Sequence, residues 1–190
     1  TLATIMFGAV SLIFANGFFE HIYFMLRENS IQGYSGHLQL TKKGFHEQGF
    51  VFFTNYESYK GKQLSENPKA CLVFFWKELE RQVRITGLVV KISNKESDEY
   101  FNSRPESSRI GAWASPQSQV IANRQWIDEK FNELVIKLEG TTIERPPYWG
   151  GYLVKPVEIE FWQGRPSRLH DRIQYSLEDN GAWKIERLAP

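Results

Sequence analysis

Four arginines and one histidine stand beside aromatic and hydroxyl residues in two short stretches of this sequence. The first is Tyr100-Phe101-Asn102-Ser103-Arg104-Pro105, with Ser107 and Ser108 just beyond. It sets a phenol and a guanidinium four residues apart, near the end of an expected helix. The second runs from Trp162 through Arg165, Arg168, His170 and Arg172. Arg168 and His170 are two residues apart, so an extended backbone would put them on one face. Arginine forks grip phosphate through paired, charge-assisted hydrogen bonds. Convergent arginines and hydroxyls therefore point to a phosphorylated small ligand. Each residue alone has a plainer reading: a surface pair for Arg104, a structural histidine for His170, a core ring for Trp162.

Composition narrows the chemistry further. The chain has 190 residues, 23 Lys+Arg against 22 Asp+Glu, and a formal net charge of +1. Binders of nucleic acid that ignore base sequence carry a strong basic excess, so no nucleic-acid partner is expected. Aromatic residues make up 15% of the chain, which argues for a packed domain over disorder. With one cysteine, Cys71, an internal disulfide is impossible, and a Cys-based metal site lacks thiols. The histidines His21, His37, His46 and His170 show no metal-ligand spacing. No metal is expected, and redox chemistry would need an organic cofactor. Neither a Gly-x-Gly-x-x-Gly nor a Walker phosphate loop occurs, and no nucleophile elbow is present.

Strands must position these groups. Residues 50–55 and 70–76 are short apolar runs that suit strands buried on both faces, which makes Cys71 a small buried hydrophobe. In 82–92, Val83 and Ile85 alternate with Arg84 and Thr86, and Gly87 predicts a bulge. Period-two alternation recurs at Val157, Ile159 and Phe161, at Ile173, Tyr175 and Leu177, and at Trp183 and Ile185. Ser93-Asn94-Lys95-Glu96 is a capping box that opens a short helix. A second helix is expected over 125–138, where Ile127, Phe131, Leu134 and Leu138 share a face. Ser115-Pro116 reads as a helix cap and first position. Pro146-Pro147 and Gly150-Gly151 read as a loop before the next strand. The pattern predicts a single domain, an antiparallel barrel with a few helices.

Residues 1–19 carry no charge, and the apolar bias runs on to Leu26. A membrane span needs about 18 apolar residues, and this stretch is diluted by Gly8, Ser11, Asn16 and Gly17 and broken by Glu20. Membrane attachment is therefore not expected. Residues 6–40 read as an atypical insertion, and the first residue is not Met, so the expected N-terminus is incomplete.

Several motifs occur in order: Phe53-Thr54-Asn55-Tyr56-Glu57-Ser58, Glu80-Arg81-Gln82-Val83-Arg84, Tyr100-Phe101-x-Ser103-Arg104-Pro105, Ile110-Gly111-Ala112-Trp113-Ala114-Ser115-x-Gln117-Ser118, Trp149-Gly150-Gly151-Tyr152, Glu160-Phe161-Trp162-Gln163-Gly164, Arg168-Leu169-His170-Asp171-Arg172 and Arg187-Leu188-Ala189-Pro190. Together they resemble the pyridoxine/pyridoxamine 5′-phosphate oxidase family, from about Lys43 to the last residue. Thr1-Leu2-Ala3-Thr4-Ile5 resembles its first barrel strand.

The resemblance implies a mainly β fold with short helices: a split antiparallel β-barrel that binds FMN at the interface of a homodimer. It implies oxidation of pyridoxamine 5′-phosphate or pyridoxine 5′-phosphate to pyridoxal 5′-phosphate, with oxygen as acceptor and hydrogen peroxide as co-product. By position, Lys43, Tyr100, Arg104 and Ser108 would hold the substrate phosphate. Arg168 and His170 would lie at the pyridine ring and the reacting carbon. Phe53, Thr54, Lys60, Gln82, Gln117, Ser118, Trp162 and Arg172 would contact FMN. A cytoplasmic enzyme is expected. Two departures stand out: Leu38 and Tyr59 occupy positions where the family has arginines on the flavin phosphate. They motivate an alternative, a flavin-impaired dimer that binds pyridoxal phosphate without turnover.

Overall fold

The computed structural model describes residues 49–190. Expectations for Thr1–Ile5, for residues 6–40, and for Leu38 and Lys43 lie outside the described residues. Six strands and four helices follow one another: β1 (Phe50–Asn55), α1 (Tyr59–Glu66), β2 (Lys69–Trp76), β3 (Arg81–Lys91), α2 (Asn94–Ser103), α3 (Glu106–Ala114), α4 (Arg124–Leu138), β4 (Trp149–Gln163), β5 (Asp171–Leu177) and β6 (Trp183–Leu188). Every pairing is antiparallel, in the order β2-β3-β4-β5-β6, and β1 pairs with β4. The mainly β expectation holds.

β4 organises the sheet. One of its edges carries β3 along almost its whole length. The other carries β1 on residues 149–154 and β5 on residues 158–163. The register with β3 shifts between Thr86 and Gly87, as the bulge expectation required. Gly87 is needed there because a Cβ would meet the Lys155 carbonyl oxygen at 2.3 Å. The shift exchanges the faces of β4: Ile159 points into the core below it, and Tyr152 and Val154 do so above it.

The core face collects Phe50, Phe52, Val83, Ile85, Val89, Tyr152, Val154 and Ile159. Full burial of such side chains stabilises by about 1.5–3 kcal/mol each. A second cluster forms on the opposite face, where α2, α3 and α4 cover the start of β4: Phe53, Phe101, Ile110, Ile143 and Trp149. The rest of that outer face stays open.

Four local expectations change. β2 alternates between half-buried and exposed positions, so it is covered on one face only. Phe75 is 60% exposed and Cys71 is exposed, which removes the buried-hydrophobe reading of that thiol. Ser115 ends α3 and opens no helix; its N–H donates to Gly111. Gly150 and Gly151 lie within β4, opposite Thr54 and Phe53. They are glycines because of neighbours: a Cβ on Gly150 would meet the Tyr56 hydroxyl at 2.1 Å, and one on Gly151 would meet Ile92 at 2.3 Å. Helices α1 and α3 add to the two expected helices; they have eight and nine residues, too few turns for a periodic pattern to stand out.

Candidate functional site

The capping box at Ser93 is formed as expected. The Glu96 N–H donates to Ser93 Oγ at 3.2 Å, and the Ser93 N–H donates to Glu96 Oε2 at 3.0 Å. The Ser93 hydroxyl, which donates to Glu96 Oε2 at 2.6 Å, and then the Ser93 N–H hold the Glu96 carboxyl below its ordinary pKa. The helix they open delivers Tyr100 and Arg104 to the outer face at the start of β4. Tyr100 stacks on Phe53 with ring centroids 3.7 Å apart, and both rings lie nearly parallel to Trp149. Arg104 caps the end of α2 and sets its guanidinium carbon 5.0 Å from the Trp149 ring centre. Its Nη1 is buried and meets no acceptor. A buried donor without a partner is costly, and an anion there would satisfy it. Burial pushes the Tyr100 hydroxyl pKa up, with Arg104 opposing, and pushes the Arg104 pKa down.

Ser108 sits in the first turn of α3, right after Arg104-Pro105. Thr54, at the end of β1, is buried. Gln117 follows α3, and its Oε1 accepts from the Asn55 N–H at 3.1 Å and from Thr54 Oγ1 at 3.5 Å. Ser118, next to it, adopts a left-handed backbone with φ of 68°. These contacts bring Phe53, Thr54, Tyr100, Arg104 and Gln117 into one group. Lys60 is exposed on α1, with its ammonium 5.5 Å from the Phe52 ring centre.

A second group occupies the far end of the same outer face. Gln82, Trp162 and Arg172 lie side by side across β3, β4 and β5. The Trp162 and His170 ring centroids are 4.8 Å apart. His170 Nδ1 accepts from the Arg165 N–H at 3.2 Å. In neutral His170 the proton therefore resides on Nε2, which is left free to donate. The extended geometry expected for Arg168-Leu169-His170 is not found. Ser167 and Arg168 both have positive φ, 59° and 62°, so the chain turns tightly there and leaves Arg168 exposed. Two consecutive non-glycine residues in this region store strain, which is most often kept at functional sites.

Glu160 went unnoticed as a site residue. It is 5% exposed on the outer face, one row in from Trp162. Its carboxylate receives Arg172 Nε at 2.8 Å and Arg84 Nη2 at 2.9 Å. Arg172 Nη1 also donates to the Ala189 carbonyl at 3.0 Å, so the C-terminal Leu-Ala-Pro helps to hold it. The signal was present as a charged residue on a strand next to a buried apolar position.

Comparison with known proteins sets this geometry in a lineage. A family model described as "Pyridoxamine 5'-phosphate oxidase" matches residues 32–136, more than half of the chain. The chain belongs to the pyridoxamine 5′-phosphate oxidase family. A second model, "Pyridoxine 5'-phosphate oxidase C-terminal dimerisation region", matches residues 149–190. A pyridoxine/pyridoxamine 5′-phosphate oxidase of Nostoc punctiforme is 60% identical over 148 residues, covering 78% of this chain and 69% of that protein. One from Paraburkholderia xenovorans is 58% identical over 149 residues, with 78% and 70% covered. Among solved structures, PhzG from Burkholderia lata 383, in complex with tetrahydrophenazine-1-carboxylic acid, has a TM-score of 0.69 at 32% identity. That match covers 75% of this chain and 69% of PhzG. A pyridoxamine 5′-phosphate oxidase-related FMN-binding protein of Nostoc punctiforme has a TM-score of 0.57 at 18% identity, covering 74% and 72%; it shares the fold.

FMN is this family's cofactor, and the donor set here fits it. Among the described residues, the side-chain amide of Gln82, the Ser118 hydroxyl and the Lys60 ammonium have no hydrogen-bond partner. Buried Arg84 Nε has none either. An amide cross-strand from the Trp162 indole suits an acceptor-rich ring system, and an ammonium suits an anionic tail. Tyr59, where the resemblance implies an arginine on the flavin phosphate, is 69% exposed at the first position of α1 and brings no cation. Among the described residues, no helix is long and apolar enough to cross a membrane.

Proposed function

We propose that this chain is an FMN-dependent oxidase of pyridoxamine 5′-phosphate or pyridoxine 5′-phosphate, releasing pyridoxal 5′-phosphate. Family membership alone leaves the substrate open, because PhzG was solved with a tetrahydrophenazine carboxylic acid. The observation that carries the reading is the Tyr100–Arg104 pair on Trp149, with Arg104 Nη1 buried and lacking an acceptor. A phosphate ester supplies that acceptor.

In this reading Tyr100, Arg104 and Ser108, with Lys43, hold the phosphate. Arg168 and His170 face the pyridine ring and the C4′ carbon. His170 donates from Nε2, and Arg168 favours negative charge developing on the substrate. Phe53, Thr54, Lys60, Gln82, Gln117, Ser118, Trp162 and Arg172 hold the flavin. Bound FMN would supply the two-electron redox chemistry: a hydride equivalent would leave C4′, a proton would leave the substrate hydroxyl or amine, and oxygen would take up both electrons and two protons as hydrogen peroxide. The alcohol substrate yields the aldehyde directly; the amine also consumes water and releases ammonia.

The two groups also favour a homodimer. Gly151 and Trp162 are eleven positions apart on β4, roughly 36 Å of strand contour at ~3.3 Å per residue. Between them the outer face exposes Val73, Phe75, Leu88 and Val90. A second copy laid on this strip would cover it and close the split barrel. It would also bring one copy's Phe53–Gln117 group to the other's Trp162–His170 group, so that the flavin and substrate contacts assigned to the two ends meet in one site.

The test is an absorbance spectrum of the purified chain with and without FMN, followed by oxygen uptake with each vitamer. Yellow protein that forms pyridoxal phosphate is expected. Colourless protein, inert with excess FMN yet binding pyridoxal phosphate, would favour the flavin-impaired dimer that exposed Tyr59 motivates.

A further inference from the structure

Arg145 lies outside both groups, in the connection between α4 and β4, and its side chain is 10% exposed. Three acceptors surround it. Nε donates to Asp98 Oδ1 at 2.6 Å, Nη2 donates to Asn94 Oδ1 at 3.2 Å, and Nη1 donates to the Trp149 carbonyl. Asn94 and Asp98 are four apart on α2, so they share one side of its first turns. One guanidinium thus ties the N-terminal half of α2 to the first residue of β4.

The other half of α2 carries Tyr100 and ends at Arg104. Trp149 is the ring over which both are laid. The spacing between α2 and Trp149 therefore decides where the phenol and the guanidinium come to rest. The polar link from the Gly151 N–H to Ser97 Oγ across this junction is neutral and longer, at 3.3 Å. A planar fork holds three acceptors from two elements at fixed angles, which a lysine ammonium cannot reproduce.

We propose that Arg145 is a positioning residue for phosphate recognition, acting through α2 and Trp149 without touching the ligand. This rests on the proposed function, since the phosphate ester is the ligand that Tyr100 and Arg104 are assigned.

The experiment uses the full chain loaded with FMN and compares the parent with Arg145→Lys and Asp98→Asn. Equilibrium binding of pyridoxal 5′-phosphate and of unphosphorylated pyridoxal gives one ratio. Flavin fluorescence gives the FMN affinity, and steady-state kinetics with pyridoxine 5′-phosphate separate kcat from KM. Arg145→Lys should raise Kd and KM for the phosphate esters about tenfold, the order of one charge-assisted hydrogen bond. Pyridoxal affinity, FMN affinity and kcat should stay close to those of the parent. Asp98→Asn should shift the same ratio less, and it carries the test if Arg145→Lys does not fold. Asn123→Ala removes the remote cap of α4 and serves as a stability control, with all ligand constants unchanged. Equal loss of pyridoxal and pyridoxal phosphate binding, or a lower melting temperature alone, would overturn the inference and leave the proposed function standing. A parent chain that binds no phosphate ester would overturn both.

Discussion

Arg172 Nε donates to Glu160 Oε1 at 2.8 Å, and the other oxygen of that buried carboxylate pairs with Arg84. The carboxylate holds Nε of the Arg172 guanidinium and the Ala189 carbonyl holds Nη1, at the position that pairs with Trp162 across β4 and β5. Removing one member of such a cluster strands the charges that remain. Glu160→Gln should lower the melting temperature. It should also weaken FMN binding roughly tenfold, about one charge-assisted hydrogen bond. Fluorescence titration with FMN checks this; unchanged affinity would detach Arg172 from the flavin.

The roles assigned at the two ends of the 168–172 segment separate under mutation. Arg168 is exposed and its backbone is strained, whereas Arg172 is anchored in the sheet. Arg168→Ala and His170→Ala should cut turnover far more than FMN affinity. Arg172→Ala should do the reverse. Parallel measurement of kcat and FMN Kd decides; equal losses in both would contradict the division.

Much of this was legible in the sequence because short-range rules govern it. The capping box at Ser93, the bulge at Gly87 and the alternation of Ile159 with Glu160 each follow from local chemistry. Tyr100 and Arg104 were placed correctly at a helix end for the same reason. The structure departs from the sequence pattern where a distant neighbour decides the outcome. Gly150 and Gly151 look like a turn until Tyr56 and Ile92 are seen pressed against them. The apolar run of β2 looks buried on both faces, yet within one chain nothing covers Val73 and Phe75. Arg145 carries no local signature, since its three partners lie four to fifty-one residues away.

The glycine at position 150 is a steric requirement. An added methyl would overlap the Tyr56 hydroxyl and press on Ser97 Oγ at 3.1 Å. Gly150→Ala should destabilise the chain by about 1–3 kcal/mol, the usual cost of overpacking. Tyr56→Phe removes the nearest atom, so Gly150→Ala should cost less in that background. A double-mutant cycle of chemical denaturation measures the coupling. Additive effects would place the clash elsewhere.

The capping box links stability to pH. Folding lowers the Glu96 pKa because Ser93 donates to its carboxylate. A group with a depressed folded-state pKa stabilises above its unfolded pKa and loses that contribution as pH falls through the folded value. The Glu96 contribution should therefore be complete above about pH 5 and fade below the ordinary carboxylate range, near pH 4. Ser93→Ala should cost about 1 kcal/mol at neutral pH, the typical value of an N-cap. The difference between parent and variant should shrink in acid. Denaturation series at pH 7 and pH 3 measure it, and a constant difference would remove Glu96 from the account.

Tyr59 offers the sharpest test of how far this chain departs from its family. It is the first residue of α1, a helix capped by Ser58, whose Oγ accepts from the Gly61 N–H at 3.2 Å. The helix start and the neighbouring Lys60 form a positive environment suited to a phosphate. A phenol that is 69% exposed adds no charge to it. Tyr59→Arg supplies the fork that the family resemblance implies at this position, so it should tighten FMN binding by about tenfold or more. The first turn of α1 keeps its cap, so the melting temperature without FMN should barely move. Fluorescence titration of parent and variant at two salt concentrations checks both points. The gain should shrink at high salt, because screening weakens an exposed charge on a phosphate. If the parent already binds FMN tightly and Tyr59→Arg adds nothing, the flavin phosphate is held without this position, and the flavin-impaired reading loses its main support.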